Sequence, residues 1–254
     1  MVYCLDQSKK KITKKQVFIL GSTILLTILY YFISLYRVHL PPDGNFPEGR
    51  NSILFFQWVF GGLFNGNKWI DFWQYIWQFC MSLLLFLIVP MLLIKYYFKE
   101  KQHDYGFQVG DKKFNLIWTL IGLAVLPAFF FLKDPGLTQE YPLTGLVRDD
   151  ITLFIVFNLV YFIYYIGFEF IFRAYLQFGL KREEMTKLGI FLIIIIQTII
   201  TTLFHIGKPL TEIIAAAAVG PIFGYLTLRG KSFIWPVLIF HYFIGVVQNI
   251  APLI

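Results

Sequence analysis

The chain has 254 residues, of which 57% are hydrophobic, 20% aromatic and only 15% charged; soluble domains carry about 25% charged residues. With a mean hydropathy of +0.66, it has too little polar surface for a soluble enzyme, a disordered tail protein or a secreted disulfide scaffold. The net charge of +7 does not indicate nucleic-acid binding, because the basic residues form short clusters between apolar runs, as they do in membrane proteins.

Apolar segments long enough to cross a bilayer recur along the chain, since a spanning helix needs about 20 such residues. The sequence therefore predicts an all-α, polytopic transmembrane bundle of about seven helices. The first apolar stretch is too long for a signal peptide and no small-residue cleavage site follows it, so we expect it to stay as an anchor. The predicted spans are residues 17–36, 72–94, 114–132, 151–180, 188–206, 213–228 and 232–250.

The distribution of Lys and Arg predicts the orientation. With a cytoplasmic N-terminus, fifteen of these residues fall in inner segments and six in outer ones, so the positive-inside rule favours N-in and C-out. We expect a multi-pass protein in lipid, in a bacterial cytoplasmic (inner) membrane. The apolar stretch 53–60 in the first outer loop is too short to cross and is interpreted as interfacial or re-entrant. Cys4 and Cys80 lie in different environments, so no disulfide is expected.

Ionisable residues within the predicted spans are costly in hydrocarbon, so each calls for a partner or a function. Glu169 and Arg173 share a face of the fourth span, and His205 and His241 lie in the fifth and seventh. A structural Glu–Arg pair and histidines bonded to backbone carbonyls would also explain them, but we expect all four to face one cavity. Polar residues at helical spacing accompany them: Asn158, Tyr165, Glu169 and Arg173 in the fourth span; Gln197, Thr201 and His205 in the fifth; His241 and Gln248 in the seventh.

Three segments resemble motifs of the CPBP family, the CAAX-protease and bacteriocin-processing intramembrane peptidases. Residues 168–174 resemble its EExxxRG segment, His205 lies where the family has FxxxH, and residues 224–241 resemble the stretch in which HxxxN follows Trp-Pro. The resemblance covers roughly residues 103–250. It divides the chain into an N-terminal two-helix segment with an outer loop, 1–102, and a family-like five-helix core, 103–254.

The resemblance implies an endopeptidase in which a Glu activates water while histidines polarise the scissile carbonyl. This chain departs from the pattern at three positions: the first Glu is Phe168, the Phe of FxxxH is Thr201, and the final Asn is Gly245. No cofactor is expected; a Glu and two His can bind a metal, but the adjacent Arg and the family's glutamic mechanism argue against one. The implied catalytic residues are Glu169, His205 and His241, with Arg173, Thr201, Gln248 and Asn158 in support.

Three functions remain open at this point. The first is an intramembrane endopeptidase acting on a peptide or membrane-protein substrate. The second is a catalytically degenerate relative that binds a partner subunit as a scaffold or immunity factor. The third, a transporter with a proton relay through Glu169 and the histidines, is disfavoured by the absence of internal repeats. In the sixth span, the small residues Ala216, Gly220 and Gly224 predict close helix packing around the cavity.

Overall fold

The computed structural model describes residues 12–40, 50–64, 69–131, 134–148 and 150–253. Cys4 and the lysines at 9–11, 68 and 133 lie outside them. Within the described ranges, seven helices are long and apolar enough to span a membrane, which confirms the predicted fold class and all seven spans. In chain order the elements are α1 (Lys14–Leu35), β1 (Arg37–Leu40), β2 (Arg50–Ile53), α2 (Leu54–Phe64), α3 (Ile70–Phe98), α4 (Lys112–Phe131), α5 (Pro135–Glu140), α6 (Ile151–Leu180), α7 (Lys187–Phe204), α8 (Leu210–Gly230) and α9 (Ile234–Leu253).

Side-chain caps at the ends of the polar loops fix where several spans begin. Thr13 and Gln16 form a capping box at α1, and the side chains of Asp111, Asp150 and Thr186 accept hydrogen bonds from the first turns of α4, α6 and α7. Such caps satisfy amide groups that a helix leaves free at its N-terminus. Helices α1, α4 and α7 thus start one to three residues before the apolar segments predicted from charge alone.

The outer loop predicted between the first two spans contains a small hairpin followed by a helix. Strands β1 and β2 pair antiparallel with Arg37 opposite Ile53, and the apolar stretch predicted at 53–60 forms α2, which has 11 residues. At about 1.5 Å per residue, α2 is too short to cross a bilayer. Its Trp58 and Leu63 are 79% and 78% exposed.

Helix α6 lies at the centre of the bundle. Every residue from 167 to 177 is buried, and the main apolar cluster combines α6 with α1 and α3 through residues such as Tyr30, Phe86 and Phe172. Because a Cβ on Gly167 would lie 2.8 Å from the Ser82 carbonyl carbon, only glycine lets α6 approach α3 this closely. The N-terminal helices therefore share one core with the family-like part of the chain.

The small residues predicted to allow close packing do so between α7 and α8. A Cβ on Gly220 would lie 2.8 Å from Thr198 Cγ2, and one on Gly224 would lie 2.6 Å from Gln177 Nε2 and 3.1 Å from Ile194 Cγ2. Small side chains at these positions let two backbones approach without an intervening layer. This contact sets the distance between α7, which leads to His205, and the adjacent wall of the cavity.

Candidate active site

A cavity of about 510 Å³ lies among the helices, within the size range of ligand pockets. Its walls carry many aromatic rings, and it extends to Arg37 of β1, Glu140 of α5 and Lys208 between α7 and α8. Of the seven catalytic and supporting residues predicted from the sequence, five line it: Arg173, Thr201, His205, His241 and Gln248.

Glu169 lies behind this cavity rather than in its wall. Its carboxylate is fully buried, with Oε1 2.5 Å from His241 Nδ1 and Oε2 3.3 Å from Arg173 Nε. The expectation that all four ionisable residues face the cavity therefore holds for Arg173, His205 and His241, whereas Glu169 contacts the cavity only through its two partners. The helix widens into a π-turn over Phe170–Leu176, a feature that often marks functional sites, and this turn places the Arg173 guanidinium beside Glu169.

His205 is the first residue after α7, and its ring is fixed by the helix it follows. Nδ1 lies 2.7 Å from the Thr201 carbonyl oxygen. Burial lowers the pKa of His205 to about 4, so the ring is neutral at neutral pH. Because a carbonyl oxygen only accepts hydrogen bonds, Nδ1 carries the proton and Nε2 keeps its lone pair. His205 is thus held as an acceptor.

Phe168 stands between the two histidines, at the position where the family motif has its first Glu. The ring centroid of Phe168 is 6.0 Å from that of His205 and 5.5 Å from that of His241, with interplanar angles of 87° and 75°. The Arg173 guanidinium also lies over this ring, 5.6 Å from its centroid. Apart from the ion pair of Nε with Glu169, no described residue forms a hydrogen bond with Arg173 Nε or Nη1, although the side chain is only 4% exposed. A phenyl ring therefore fills the space in which a carboxylate would contact both histidines.

The supporting residues divide into two groups. The Thr201 hydroxyl accepts a hydrogen bond from Gln197 Nε2 at 3.0 Å, in a buried network behind His205. Asn158, in contrast, does not line the cavity: its Nδ2 bonds the Phe154 carbonyl oxygen and its Oδ1 accepts from Asn249 Nδ2. The structure thus places Asn158 in the packing of α6 against α9, away from the cavity, and its supporting role stays a prediction from the sequence.

At position 245, where the family motif ends in Asn, this chain has a glycine. A tyrosine from α6, Tyr165, fills the space that a side chain at this position would take. A Cβ on Gly245 would lie 2.8 Å from Tyr165 Cζ and 3.0 Å from Cε2, with the hydroxyl closer still. The Tyr165 ring packs against His241 at a centroid distance of 4.8 Å, and its hydroxyl donates to that of Tyr161 at 3.1 Å. Tyr165 is in the polar stripe read from the sequence, but that stripe alone did not identify it as a site residue.

A second charged group, in the wall of the cavity, was not predicted from the sequence. Lys208 pairs with Glu140, and Glu212 lies near both. Burial acts to lower the pKa of Lys208, but the attraction of Glu140 and Glu212 outweighs it and raises that pKa. From the sequence, Glu140 and Lys208 belong to separate loops, 68 residues apart, so no local spacing could have joined them.

The donor groups do not fit a metal site. Among the residues whose placement is described, no three His, Cys, Asp or Glu side chains are arranged to hold a metal ion. Glu169 faces His241 Nδ1 and Arg173 instead of a point shared with both imidazole Nε2 atoms. The arrangement suits proton transfer and hydrogen bonding to a neutral group in the cavity.

A family model described as type II CAAX prenyl endopeptidase Rce1-like matches residues 150–247. No curated protein and no solved structure matches the chain. The matched segment runs from the start of α6 into α9 and contains Glu169, Arg173, His205 and His241. Residues 150–247 are thus similar to a family of CAAX-type membrane proteases, which confirms the CPBP resemblance predicted from the motifs.

Proposed function

We propose that this chain is an intramembrane endopeptidase that hydrolyses a peptide bond in a peptide or membrane-protein substrate. The observation that carries the proposal is the convergence of two fixed imidazoles, His205 and His241, on one aromatic cavity in a segment similar to a protease family. Holding two titratable groups in a pocket within the membrane is costly, and such groups are by default candidates for function.

The contacts of Glu169 support a division of roles in which His241 Nε2 is the base. Glu169 holds the Nδ1–H of His241 and stabilises the imidazolium that forms when Nε2 takes a proton, as the carboxylate does in other carboxylate–histidine pairs. Arg173 balances the charge of Glu169. This differs from the role implied by the family resemblance, in which Glu169 itself would activate water, because the buried carboxylate reaches the cavity only through His241 and Arg173.

The reaction needs only water and the peptide. A water hydrogen-bonded to the lone pairs of the two histidines attacks the carbonyl carbon, and His241 Nε2 removes its proton. The carbonyl π electrons move to oxygen, giving a tetrahedral oxyanion. The oxyanion then collapses, the C–N bond breaks, and the imidazolium returns the proton to the leaving nitrogen. The products are a carboxylic acid and an amine, and no cofactor enters the step.

In the proposed orientation, the end of the cavity lined by Arg37, Glu140 and Lys208 lies on the extracytoplasmic side, since these residues belong to predicted outer loops. Substrates would then enter from the outer leaflet or from outside the cell. An alkaline phosphatase fusion after Ile254 should be active, whereas a fusion active only in the cytoplasm would reverse the topology and the side of entry.

A non-catalytic relative that binds a partner in the same cavity is the second candidate. The observation that favours it is Phe168, because this chain has an aromatic ring, packed near both histidines, at the position where the family motif has its first Glu. Such a protein would keep the cavity and the buried Glu169–Arg173 pair for stability, while His241→Ala would change binding rather than turnover.

The test is peptide cleavage by the full chain in lipid nanodiscs. The probes are an internally quenched farnesylated peptide ending in a CAAX sequence and a mixed library of quenched unmodified peptides, with the products identified by mass spectrometry. We expect cleavage that is lost in His241→Ala and retained in His103→Ala, a partly exposed histidine outside the cavity. A folded native protein that cleaves neither set would exclude the peptidase and leave the binding function.

A further inference from the structure

The proposed reaction also needs a hydrogen-bond donor to the oxyanion, and the two histidines of the cavity are already used as acceptors. If His205 and His241 both present lone pairs to the attacking water, neither is available to donate a hydrogen bond to the oxyanion. Stabilising that charge with a positioned donor is usually among the largest contributions to the rate of acyl transfer. Gly245 has no side chain to supply such a donor.

Tyr165 lies in the space next to Gly245. Its phenol occupies the volume that a side chain at position 245 would take, as shown by the 2.8 Å separation between an added Cβ and Tyr165 Cζ. Position 245 lies one helical turn after His241 and on the same face of α9. The Tyr165 hydroxyl is thus held next to the proposed base, on the side of the cavity where α9 presents His241.

The surroundings of the hydroxyl suit a donor rather than a base. The Tyr165 side chain is buried and its ring is packed against His241. Its proton now points to the Tyr161 hydroxyl. A hydroxyl hydrogen turns about its C–O bond to meet a better acceptor, and Tyr161 can then donate back to the Tyr165 oxygen, which strengthens the outgoing bond.

We propose that Tyr165 is a catalytic residue that donates a hydrogen bond to the tetrahedral oxyanion, in place of a side chain at position 245. The inference rests on the proposed peptidase function. It also explains the pairing of a glycine at position 245 with a tyrosine at position 165: a larger residue at 245 would displace the phenol. Helices α6 and α9 thus each supply part of one reaction centre, the donor from α6 and the base from α9.

The first experiment measures kcat and KM of Tyr165→Phe in nanodiscs with a quenched peptide that the native chain cleaves. Removing one oxyanion donor typically lowers kcat by about 10²–10³-fold, and we expect KM and the melting temperature to change little because the ring remains. Tyr175→Phe is the matched control and should keep the native kcat, because Tyr175 is a buried tyrosine of the same helix whose hydroxyl pairs with Ser22 and does not line the cavity. A native kcat in Tyr165→Phe would overturn the inference while leaving the peptidase function in place.

The second experiment transfers the donor to position 245. Gly245→Asn alone should lose activity because its Cβ meets the Tyr165 ring. Combined with Tyr165→Leu, which removes the ring end and the hydroxyl, the Asn amide gains the space and should restore at least 10-fold over Tyr165→Leu alone. The absence of any recovery in the folded double variant would count against a shared site for the two side chains.

The third experiment does not depend on turnover. A phosphinate analogue of the same peptide mimics the tetrahedral oxyanion, and Tyr165→Phe should weaken binding of this analogue by about 10²-fold. The control is binding of the peptide itself, measured in His241→Ala so that the peptide is not cleaved. Adding Tyr165→Phe to His241→Ala should leave the affinity for the peptide unchanged. Equal phosphinate affinity in native and Tyr165→Phe proteins would refute the donor role. A native protein that binds the peptide but neither cleaves it nor prefers the phosphinate would refute the peptidase function itself.

Discussion

Replacing Glu169 with Gln removes the charge at the centre of the site while keeping the shape of the side chain. Glu169 and Arg173 have side-chain exposures of 0% and 4%, so solvent cannot take over the role of the lost carboxylate. Breaking a buried ion pair by removing one partner typically costs about 3–5 kcal/mol, because the other charge is left unpaired. The amide also cannot stabilise a positive His241, so we expect a loss of about 10²–10⁴-fold in rate.

Thermal unfolding in nanodiscs and peptide cleavage separate the two effects. At about 2–4 °C per kcal/mol for a chain of this size, the melting temperature should fall by about 6–20 °C. Adding Arg173→Met to Glu169→Gln removes the unpaired charge and should restore most of the melting temperature without restoring the rate. Glu140→Gln is the control, since its pair with Lys208 is about 30% exposed on each side and should be worth about 1 kcal/mol or less.

Two results would refute this reasoning. An unchanged melting temperature in Glu169→Gln would mean that the carboxylate does not stabilise Arg173 in the membrane. A native rate in the same variant would show that His241 works without its buried partner and would remove Glu169 from the proposed chemistry.

Three further outcomes follow from the same geometry. Phe168→Glu places a carboxylate between the two histidines, and we expect it to raise the cleavage rate at least 10-fold; an unchanged or lower rate in a folded protein would contradict this. Because His205 has a pKa of about 4 in the fold against 6.5 ordinarily, the unfolded chain binds its proton first, so stability should fall from pH 6.5 to 4 by up to about 3 kcal/mol; His205→Gln should flatten that part of the stability curve. Gly167→Ala should cost about 1–3 kcal/mol of stability because its Cβ would clash with α3. Gly21→Ala should be neutral or slightly stabilising, since none of the described residues lies within 4 Å of a Cβ added there. Equal effects of the two substitutions would argue against the close approach of α6 to α3.

The number and placement of the spans could be read from the sequence because the hydrocarbon layer imposes a minimum length and excludes charge. The same constraint identified Glu169, Arg173, His205 and His241, since an ionisable group inside a span is conspicuous whatever the packing. The ends of the helices were less well predicted, because caps such as Thr13 and Asp111 extend a helix into residues that look like loop.

The arrangement of the site depended on contacts between distant segments. The direction in which a side chain faces can be inferred at 100° per residue only for a regular α-helix. Helix α6 widens just after Glu169. This local geometry, together with the approach of α9, places the carboxylate behind His241. The place of Phe168 between the histidines and that of Tyr165 against Gly245 likewise arise only when α6, α7 and α9 pack together. Because the bilayer excludes charge, the sequence alone indicated which ionisable residues had to be buried. Tertiary packing decided which of them touch each other and which reach the cavity.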